Sequence, residues 1–290
     1  MKRIIFLVAV FIAAAGADLR AQCTGDCQNG QGVFSYPNGD KYEGLFKAGK
    51  PSGKGVMTYF FGGKYTGTFK EGNPDGQGSF LYPNGDKCEG IFKDGKLNGT
   101  GTMIWTGGIK YSGLFKDGRP DGQGQMVYAN GDKYEGQFIQ GKIHGQGSYL
   151  FAGGSKYTGD FKEGKFNGQG VFMFIENKKP AGQYTGIFKD GVISGKGTFI
   201  FANGDKYEGE FLNDRINGSG VYTFMNGAKY TGEFKDGKFS GNGVYVFQNG
   251  MKYDGEFADN RFHGNGSLYD ATGKIIQNGV WEKDLFVAEK

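Results

Sequence analysis

The sequence YTGTFKEGNPDGQG, residues 65–78, is one copy of a pattern that returns along almost the whole chain of 290 residues. Close copies are YSGLFKDGRPDGQG at residues 111–124 and YTGEFKDGKFSGNG at residues 230–243. Units begin 23 residues apart, with one spacing of 27, at Tyr42, Tyr65, Cys88, Tyr111, Tyr134, Tyr157, Tyr184, Tyr207, Tyr230 and Tyr253. A fixed period of about 20 to 50 residues indicates an array of stacked units, each contacting its neighbours.

Each unit begins with alternating polar and apolar residues. In KYEGLFK, residues 41–47, Tyr, Gly and Phe occupy the even positions, and lysine and glutamate lie on the other side. This period of two predicts a strand with one apolar face. Large residues two apart, such as Phe80 and Tyr82, predict a second strand later in the unit. No window shows the period of about 3.6 that a helix requires, so the sequence predicts an all-β fold of consecutive hairpins.

The stretch PNGDKYEG, residues 37–44, predicts how one hairpin closes. Pro37 has no backbone N–H, so it suits the first position of a three-residue loop better than the flank of a two-residue turn. Gly39 then takes the positive φ of the bulge. In this register Phe34 pairs with Tyr42, which places both aromatic columns on one face.

Glycine is the other constant of the pattern. The chain has 57 glycines and only 6 prolines, without the three-residue period of collagen. It also has 27 Phe, 17 Tyr and 2 Trp, which excludes a disordered glycine-rich linker. For Gly44, between Tyr42 and Phe46, we predict a glycine with no room for a side chain because a ring lies across it. The corresponding structural glycines are Gly44, Gly67, Gly90, Gly113, Gly136, Gly159, Gly186, Gly209, Gly232 and Gly255.

Residues 1–21 resemble a secretory signal. A basic start, MKR, precedes an apolar run of 12 residues at 4–15, which is too short to span a bilayer. Cleavage after Ala17 and cleavage after Ala21 both suit a small-residue site. We therefore expect an exported protein, secreted or periplasmic, with no transmembrane segment in the mature chain.

Three cysteines are present. Cys23 and Cys27 stand four apart around Gly25 and form a candidate disulfide, with free thiols as the alternative. A zinc site needs four ligands, and no other Cys or His lies nearby, so no metal is expected. Cys88 replaces a lead tyrosine; we expect a small core residue there, and a reactive thiol is the alternative.

The skeleton Y-x-G-x-F-x-x-G-x-x-x-G-x-G, carried by the three stretches quoted above, resembles the MORN (membrane occupation and recognition nexus) repeat. The resemblance covers about Gly30 to Ile275. Choline-binding wall repeats are also aromatic and glycine-rich, but they lack this glycine spacing. The resemblance implies an elongated, twisted single-layer antiparallel sheet of consecutive hairpins. It also implies protein contact or self-association, with lipid binding proposed from the family's name.

The chain is accordingly divided into four segments. We predict a signal at residues 1–21 and an N-terminal cap with a half repeat at residues 22–41. Ten tandem repeats of 23 residues follow at 42–275, and a degenerate C-terminal cap at 276–290. The predicted aromatic face of the repeats consists of Tyr42, Phe46, Tyr65, Phe69, Tyr111, Phe115, Tyr134, Phe138, Tyr157, Phe161, Tyr184, Phe188, Tyr207, Phe211, Tyr230, Phe234, Tyr253 and Phe257.

Besides Cys88, two places depart from the repeat. Leu212, Asn213 and Asp214 replace the usual lysine and acidic-glycine pair, which predicts a locally altered turn. Residues 174–183 carry the four extra residues of the longest unit. They are a tolerated longer loop in one interpretation, and a kink or a partner-docking point in the other.

Signs of catalysis are absent from the sequence. The two histidines, His144 and His263, fill the same column before a glycine, which favours turn residues over catalysts. Carboxylates recur in equivalent columns, as at Glu43, Glu89 and Glu135, whereas a glycosidase needs two carboxyls in different environments. We expect no catalytic residue, no cofactor and no metal.

The charge and the repeat together predict the class of function. A formal net charge of +4 lacks the dense excess of lysine and arginine that nucleic-acid binding requires. We therefore predict an exported, non-enzymatic scaffold for a protein partner or for self-association. The alternatives are a module that binds a cell-envelope glycan and a peripheral module that binds lipid headgroups.

Overall fold

The computed structural model describes residues 21–289 and contains no helix within them. The predicted signal at residues 1–21 lies, except for Ala21, outside these residues. Two units are distinguished, one ending at Lys96 and one beginning at Leu97. Each unit is described separately.

The first unit contains seven strands, each paired antiparallel with the next along the chain. Their bounds are β1 Gln22–Gly25, β2 Gln31–Ser35, β3 Lys41–Lys47, β4 Lys50–Thr58, β5 Lys64–Lys70, β6 Asn73–Leu81 and β7 Lys87–Lys93. In β3 the side chains alternate strictly between exposed and buried, as the pattern predicts. The core of the unit is the apolar face made by this alternation.

The second unit is also a meander, which begins with β8, and each of its strands pairs antiparallel with the next. The bounds are β8 Lys96–Ile104, β9 Lys110–Lys116, β10 Arg119–Val127, β11 Lys133–Ile139, β12 Lys142–Leu150, β13 Lys156–Lys162, β14 Lys165–Glu176, β15 Lys179–Lys189, β16 Val192–Phe201, β17 Lys206–Leu212, β18 Arg215–Thr223, β19 Lys229–Lys235, β20 Lys238–Val246, β21 Lys252–Ala258, β22 Arg261–Tyr269, β23 Ile275–Glu282 and β24 Leu285–Glu289. The predicted all-β fold of consecutive antiparallel hairpins is confirmed.

Two kinds of connection alternate along the chain. One is a two-residue turn with both residues at positive φ, such as Asp94 (48°) and Gly95 (78°), which matches the twist of the flanking strands. The other is the longer loop typified by residues 36–40. There the N–H of Gly39 bonds the carbonyl of Tyr36, and Gly39 has a φ of 88°. This is the predicted three-residue loop, and Phe34 pairs with Tyr42 as that register requires.

Candidate functional site

The lead tyrosines lie across paired glycines. Gly44 and Gly55 face each other on β3 and β4. A Cβ at Gly44 would stand 2.4 Å from the phenol oxygen of Tyr42, and one at Gly55 would stand 2.3 Å from it. Glycine is therefore required at both positions, because a larger side chain would overlap the ring of Tyr42. Gly53 differs, because its φ of 78° is a left-handed conformation that glycine adopts without strain.

Each of the nine lead tyrosines is fully buried, and its hydroxyl donates to the backbone carbonyl three residues later. In Tyr207 the acceptor is the carbonyl of Glu210, at 3.0 Å. Burial raises the pKa of Tyr207 to about 12, because the phenolate would lose its water. The ring covers the backbone of the paired glycines, and its hydroxyl donates a hydrogen bond to a backbone carbonyl.

The phenylalanines of the predicted aromatic face pack edge-on against these rings. The ring of Tyr42 meets Phe46 of its own unit at 5.0 Å and Phe69 of the next at 4.9 Å, with interplanar angles of 90° and 79°. The same two contacts recur along the chain, as at Tyr207 with Phe211 and Phe234. All eighteen predicted rings are buried, so they form the core and are not available to a partner.

A second aromatic column remains half-buried and is the candidate binding surface. It comes from the ends of the second strands and the loops that follow them. In the second unit we call it the aromatic ladder, and it consists of Tyr128, Tyr149, Phe151, Phe172, Phe174, Phe199, Phe201, Tyr222, Phe224, Tyr245 and Phe247. Consecutive ring centroids lie 4.4 to 5.9 Å apart. The ladder is thus an unbroken, partly exposed aromatic surface, which sequence reasoning did not separate from the core.

A groove lies beside the ladder in the last repeats. Its volume is about 430 Å³, and ladder rings such as Tyr245 and Phe247 line one side. The rings of Phe239 and Phe262 line the other side, and Asp284 contributes a carboxylate. A groove with aromatic walls and few polar groups has the composition of a ligand pocket, although it is open to solvent.

The aspartate of the NGD loops connects neighbouring loops, a role the sequence analysis missed. Asp205 is buried, and it accepts hydrogen bonds from the N–H of Met225 at 2.9 Å and from the hydroxyl of Tyr222 at 2.8 Å. The Asn203 amide donates to the same carboxylate at 2.8 Å. The Met225 N–H, above all, lowers the pKa of Asp205. Met225 belongs to the next loop on the same edge of the sheet, and Asp40 and Asp132 accept the N–H groups of Phe60 and Ala152 in the same way, so these aspartates join neighbouring hairpins.

The three cysteines have different environments. Cys23 and Cys27 form a disulfide with a Cα–Cα distance of 6.2 Å. Cys88 is free and buried, and its sulfur lies 3.8 Å from the hydroxyl of Tyr82. Burial raises the pKa of the Cys88 thiol. Among residues 21–289, no group of three or more His, Cys, Asp or Glu side chains is placed to hold a metal ion.

Two local predictions are wrong. His144 and His263 lie inside strands β12 and β22, and not in turns. His144 pairs with Gln137 where the register shifts by a bulge, and Gly145 takes the positive φ. The turn at Asn213 and Asp214 is also unaltered, with φ of 49° and 65°, because Asn and Asp tolerate the left-handed conformation.

The four extra residues lengthen a hairpin. Strand β14 continues to Glu176 and β15 begins at Lys179, joined by a two-residue turn at Asn177 and Lys178. Ser155 of the preceding loop bonds both the N–H of Ile175, at 2.9 Å, and its carbonyl, at 3.3 Å. The base of the hairpin is therefore attached to its neighbour, and the charged tip is exposed.

A family model for the MORN repeat matches eleven segments of the chain. They are residues 28–41, 42–60, 65–87, 88–110, 111–133, 134–156, 157–176, 184–206, 207–229, 230–252 and 253–275. The chain belongs to the MORN repeat family. The predicted family is thereby confirmed, and the eleventh match is the partial unit before Tyr42.

Comparison with solved structures gives distant matches to this MORN protein. The TCP domain of SAS-4 from Drosophila melanogaster, in complex with a proline-rich motif of Ana2, is 12% identical with a TM-score of 0.35, over 58% of this chain and 92% of that one. The TCP10 domain of CPAP from Danio rerio, in complex with a STIL peptide, is 12% identical with a TM-score of 0.26, over 90% and 100%. A virginiamycin B lyase from Staphylococcus aureus is 10% identical with a TM-score of 0.16, over 91% and 90%. Likenesses this low carry no functional argument.

The comparison with curated proteins gives no match. Within residues 21–289, no helix has the length and apolar character needed to cross a membrane.

Proposed function

We propose that this MORN protein is an exported, non-enzymatic scaffold that binds a protein partner along the aromatic ladder. The observation that carries the proposal is the ladder itself, an unbroken series of half-buried rings beginning at Tyr128 and ending at Phe247. A long, partly exposed aromatic surface is costly to leave in water, and aromatic residues dominate the energetics of protein interfaces.

Two further features support the proposal. The repeat occupies almost all of residues 28–275, and its lead tyrosines and the phenylalanines that pack on them are buried in the core. Export rests on the sequence of residues 1–21, and the Cys23–Cys27 disulfide is consistent with an oxidising compartment.

Site-specific photo-crosslinking tests the proposal. A photoreactive phenylalanine analogue would replace Phe201, which is a ladder ring, or Ile200, which is 44% exposed on the opposite face of the same strand. After irradiation in the native exported fraction, we expect one partner protein to be crosslinked at position 201 and not at position 200. Equal crosslinking at both positions, or none at 201, would contradict the proposal.

A cell-envelope glycan is the second candidate, because half-exposed rings also stack on sugar rings. A glycan array probed with the full chain and with a Tyr245→Ala variant separates the two candidates. Signal that disappears in the variant supports the glycan. Sedimentation with anionic liposomes, with and without added salt, tests the lipid-headgroup alternative in the same way.

A further inference from the structure

The groove beside the ladder exists because the last repeats change one position. The second residue of the second strand lies against the lead tyrosine, and it is Phe239 in β20 and Phe262 in β22. The earlier units hold a smaller residue at this position, namely Pro51, Pro74, Leu97, Pro120, Ile143, Ile193 and Ile216, except for the single Phe166 of β14. Two large rings therefore stand side by side at one place in the array.

These two rings connect the core to the ladder. Phe262 stacks on the buried Tyr253 at 3.9 Å with an interplanar angle of 12°, and it approaches Phe247 of the ladder at 6.0 Å. Phe239 stacks on Tyr230 at 3.9 Å in the same way and approaches Tyr245 at 6.4 Å. The space between the stacked rings and the ladder is the groove of about 430 Å³.

One charged group, Asp284, lines this groove. Its Oδ1 accepts the N–H of Phe262 at 2.8 Å, which fixes the carboxylate beside the ring. The acids of the two preceding two-residue turns are paired, since Asp236 meets Arg215 at 3.1 Å and Asp259 meets Lys238 at 2.7 Å. Within residues 21–289 no ion pair involves Asp284. The groove therefore combines aromatic walls with one carboxylate that lacks a counterion.

We infer, on the basis of the proposed protein-contact function, that the groove binds an arginine side chain of the partner protein. A guanidinium ion is planar and weakly hydrated, so it stacks on Tyr and Phe rings while donating hydrogen bonds to a carboxylate. Both requirements are met by the ladder rings and Asp284. A lysine ammonium is more strongly hydrated and offers no flat face, so it is the poorer ligand.

The chain supplies a matched variant for the charge. In the preceding turn Asn260 occupies the position of Asp284, and its side-chain oxygen accepts the N–H of Phe239 at 2.7 Å. Asp284→Asn therefore keeps the backbone hydrogen bond and removes only the charge. Phe262→Ile likewise restores the residue that Ile193 and Ile216 place in the same column.

The test is titration of the full chain with a capped Gly-Arg-Gly tripeptide, followed by NMR of the aromatic resonances. The matched probe carries citrulline, which has the shape of arginine without its charge. We expect the arginine peptide to shift the groove resonances with a millimolar affinity that weakens with added salt, and the citrulline peptide to bind roughly fivefold more weakly. Asp284→Asn should reduce arginine binding by a similar factor, and Phe262→Ile should abolish the shifts. Asp236→Asn, outside the groove, should change nothing.

Equal binding of the two peptides, or an arginine affinity that Asp284→Asn leaves unchanged, would overturn the inference. Circular dichroism of each variant shows whether the fold is retained. The two proposals fail separately. Crosslinking at position 201 without arginine binding would refute the arginine site alone, whereas arginine binding without a crosslinked partner would refute the scaffold function.

Discussion

The phenol oxygen of Tyr134 lies 2.5 Å from the point where a Cβ on Gly147 would stand. The ring is fully buried, and its hydroxyl donates to the carbonyl of Gln137 at 3.0 Å, so it cannot move away without losing that bond. The contact recurs under each of the nine lead tyrosines. It makes the glycine, and not only the ring, a determinant of the fold.

Gly147→Ala should destabilise the protein by about 2 to 3 kcal/mol, because overpacking against an immobile ring forces the strands apart. Gly153→Ala is the control, since a Cβ there would meet nothing within 4 Å. That change should be neutral or slightly stabilising, because alanine lowers the entropy of the unfolded chain. Urea unfolding of both variants measures the difference. Equal stability of the two would show that the ring does not exclude a side chain.

Because of Tyr207, the free energy of unfolding should depend on pH in the alkaline range. Its pKa is about 12 in the folded chain, against about 10 when unfolded. Below about pH 10 both states are protonated and the contribution of Tyr207 is complete. Between about pH 10 and 12 the unfolded state releases its proton first, so the free energy of unfolding falls as pH rises.

Tyr207→Phe isolates this effect. At pH 8 the variant should be about 1 kcal/mol less stable, because the hydrogen bond to the Glu210 carbonyl is lost. Above pH 10 the wild type loses stability through Tyr207 and the variant does not, so the difference should shrink. Urea unfolding across this pH range checks it, and a difference that stays constant with pH would contradict the raised pKa.

Sequence reasoning worked where the structure depends on near neighbours. Alternation in residues 41–47 was sufficient for β3, because side chains of a strand alternate by geometry alone. The Pro37 to Gly39 loop followed from backbone restrictions that act within three residues. The family followed from the spacing of the glycines.

Features that depend on how the hairpins stack could not be predicted from the sequence. Asp205 bonds a backbone N–H twenty residues later, which only the placement of adjacent loops brings into reach. Phe224 of the ladder is partly exposed and Phe211 of the core is buried. The sequence does not distinguish them, because both are phenylalanines in apolar columns of the repeat. His144 remains within β12 because a bulge next to it lets this strand continue to pair with β11.

Cys88 should react slowly with thiol reagents. The residue is 2% exposed, and burial raises its thiol pKa, so the reactive thiolate is scarce in the folded chain. We expect iodoacetamide to modify it at least ~100-fold more slowly in buffer than in urea, because modification requires opening of the sheet. Mass spectrometry of timed samples measures both rates, and a Cys88→Ser variant identifies the modified residue. Comparable rates in the two solvents would favour the reactive-thiol interpretation.

Because of Asp205, the free energy of unfolding should depend on pH in the acidic range. Its pKa is lowered in the folded chain, chiefly by the Met225 N–H, against about 3.9 when unfolded. The carboxylate therefore contributes its full stabilisation above about pH 4, and that contribution is lost as pH falls through the lower folded pKa. Asp205→Asn should cost about 1 to 3 kcal/mol at pH 7, because an amide nitrogen cannot accept the Tyr222 hydroxyl.

The control is Asp236→Asn, which removes a carboxylate of the same charge from an exposed pair with Arg215. Its cost should stay below about 1 kcal/mol, because solvent screens exposed ion pairs. Urea unfolding at pH 7 and at pH 3 distinguishes the two sites. The deficit of Asp205→Asn should narrow at the lower pH, because the carboxyl takes up its proton first in the unfolded wild-type chain and the free energy of unfolding of the wild type falls. If the Asp205 and Asp236 variants lost equal stability at pH 7, the connection between neighbouring loops would not stabilise the array.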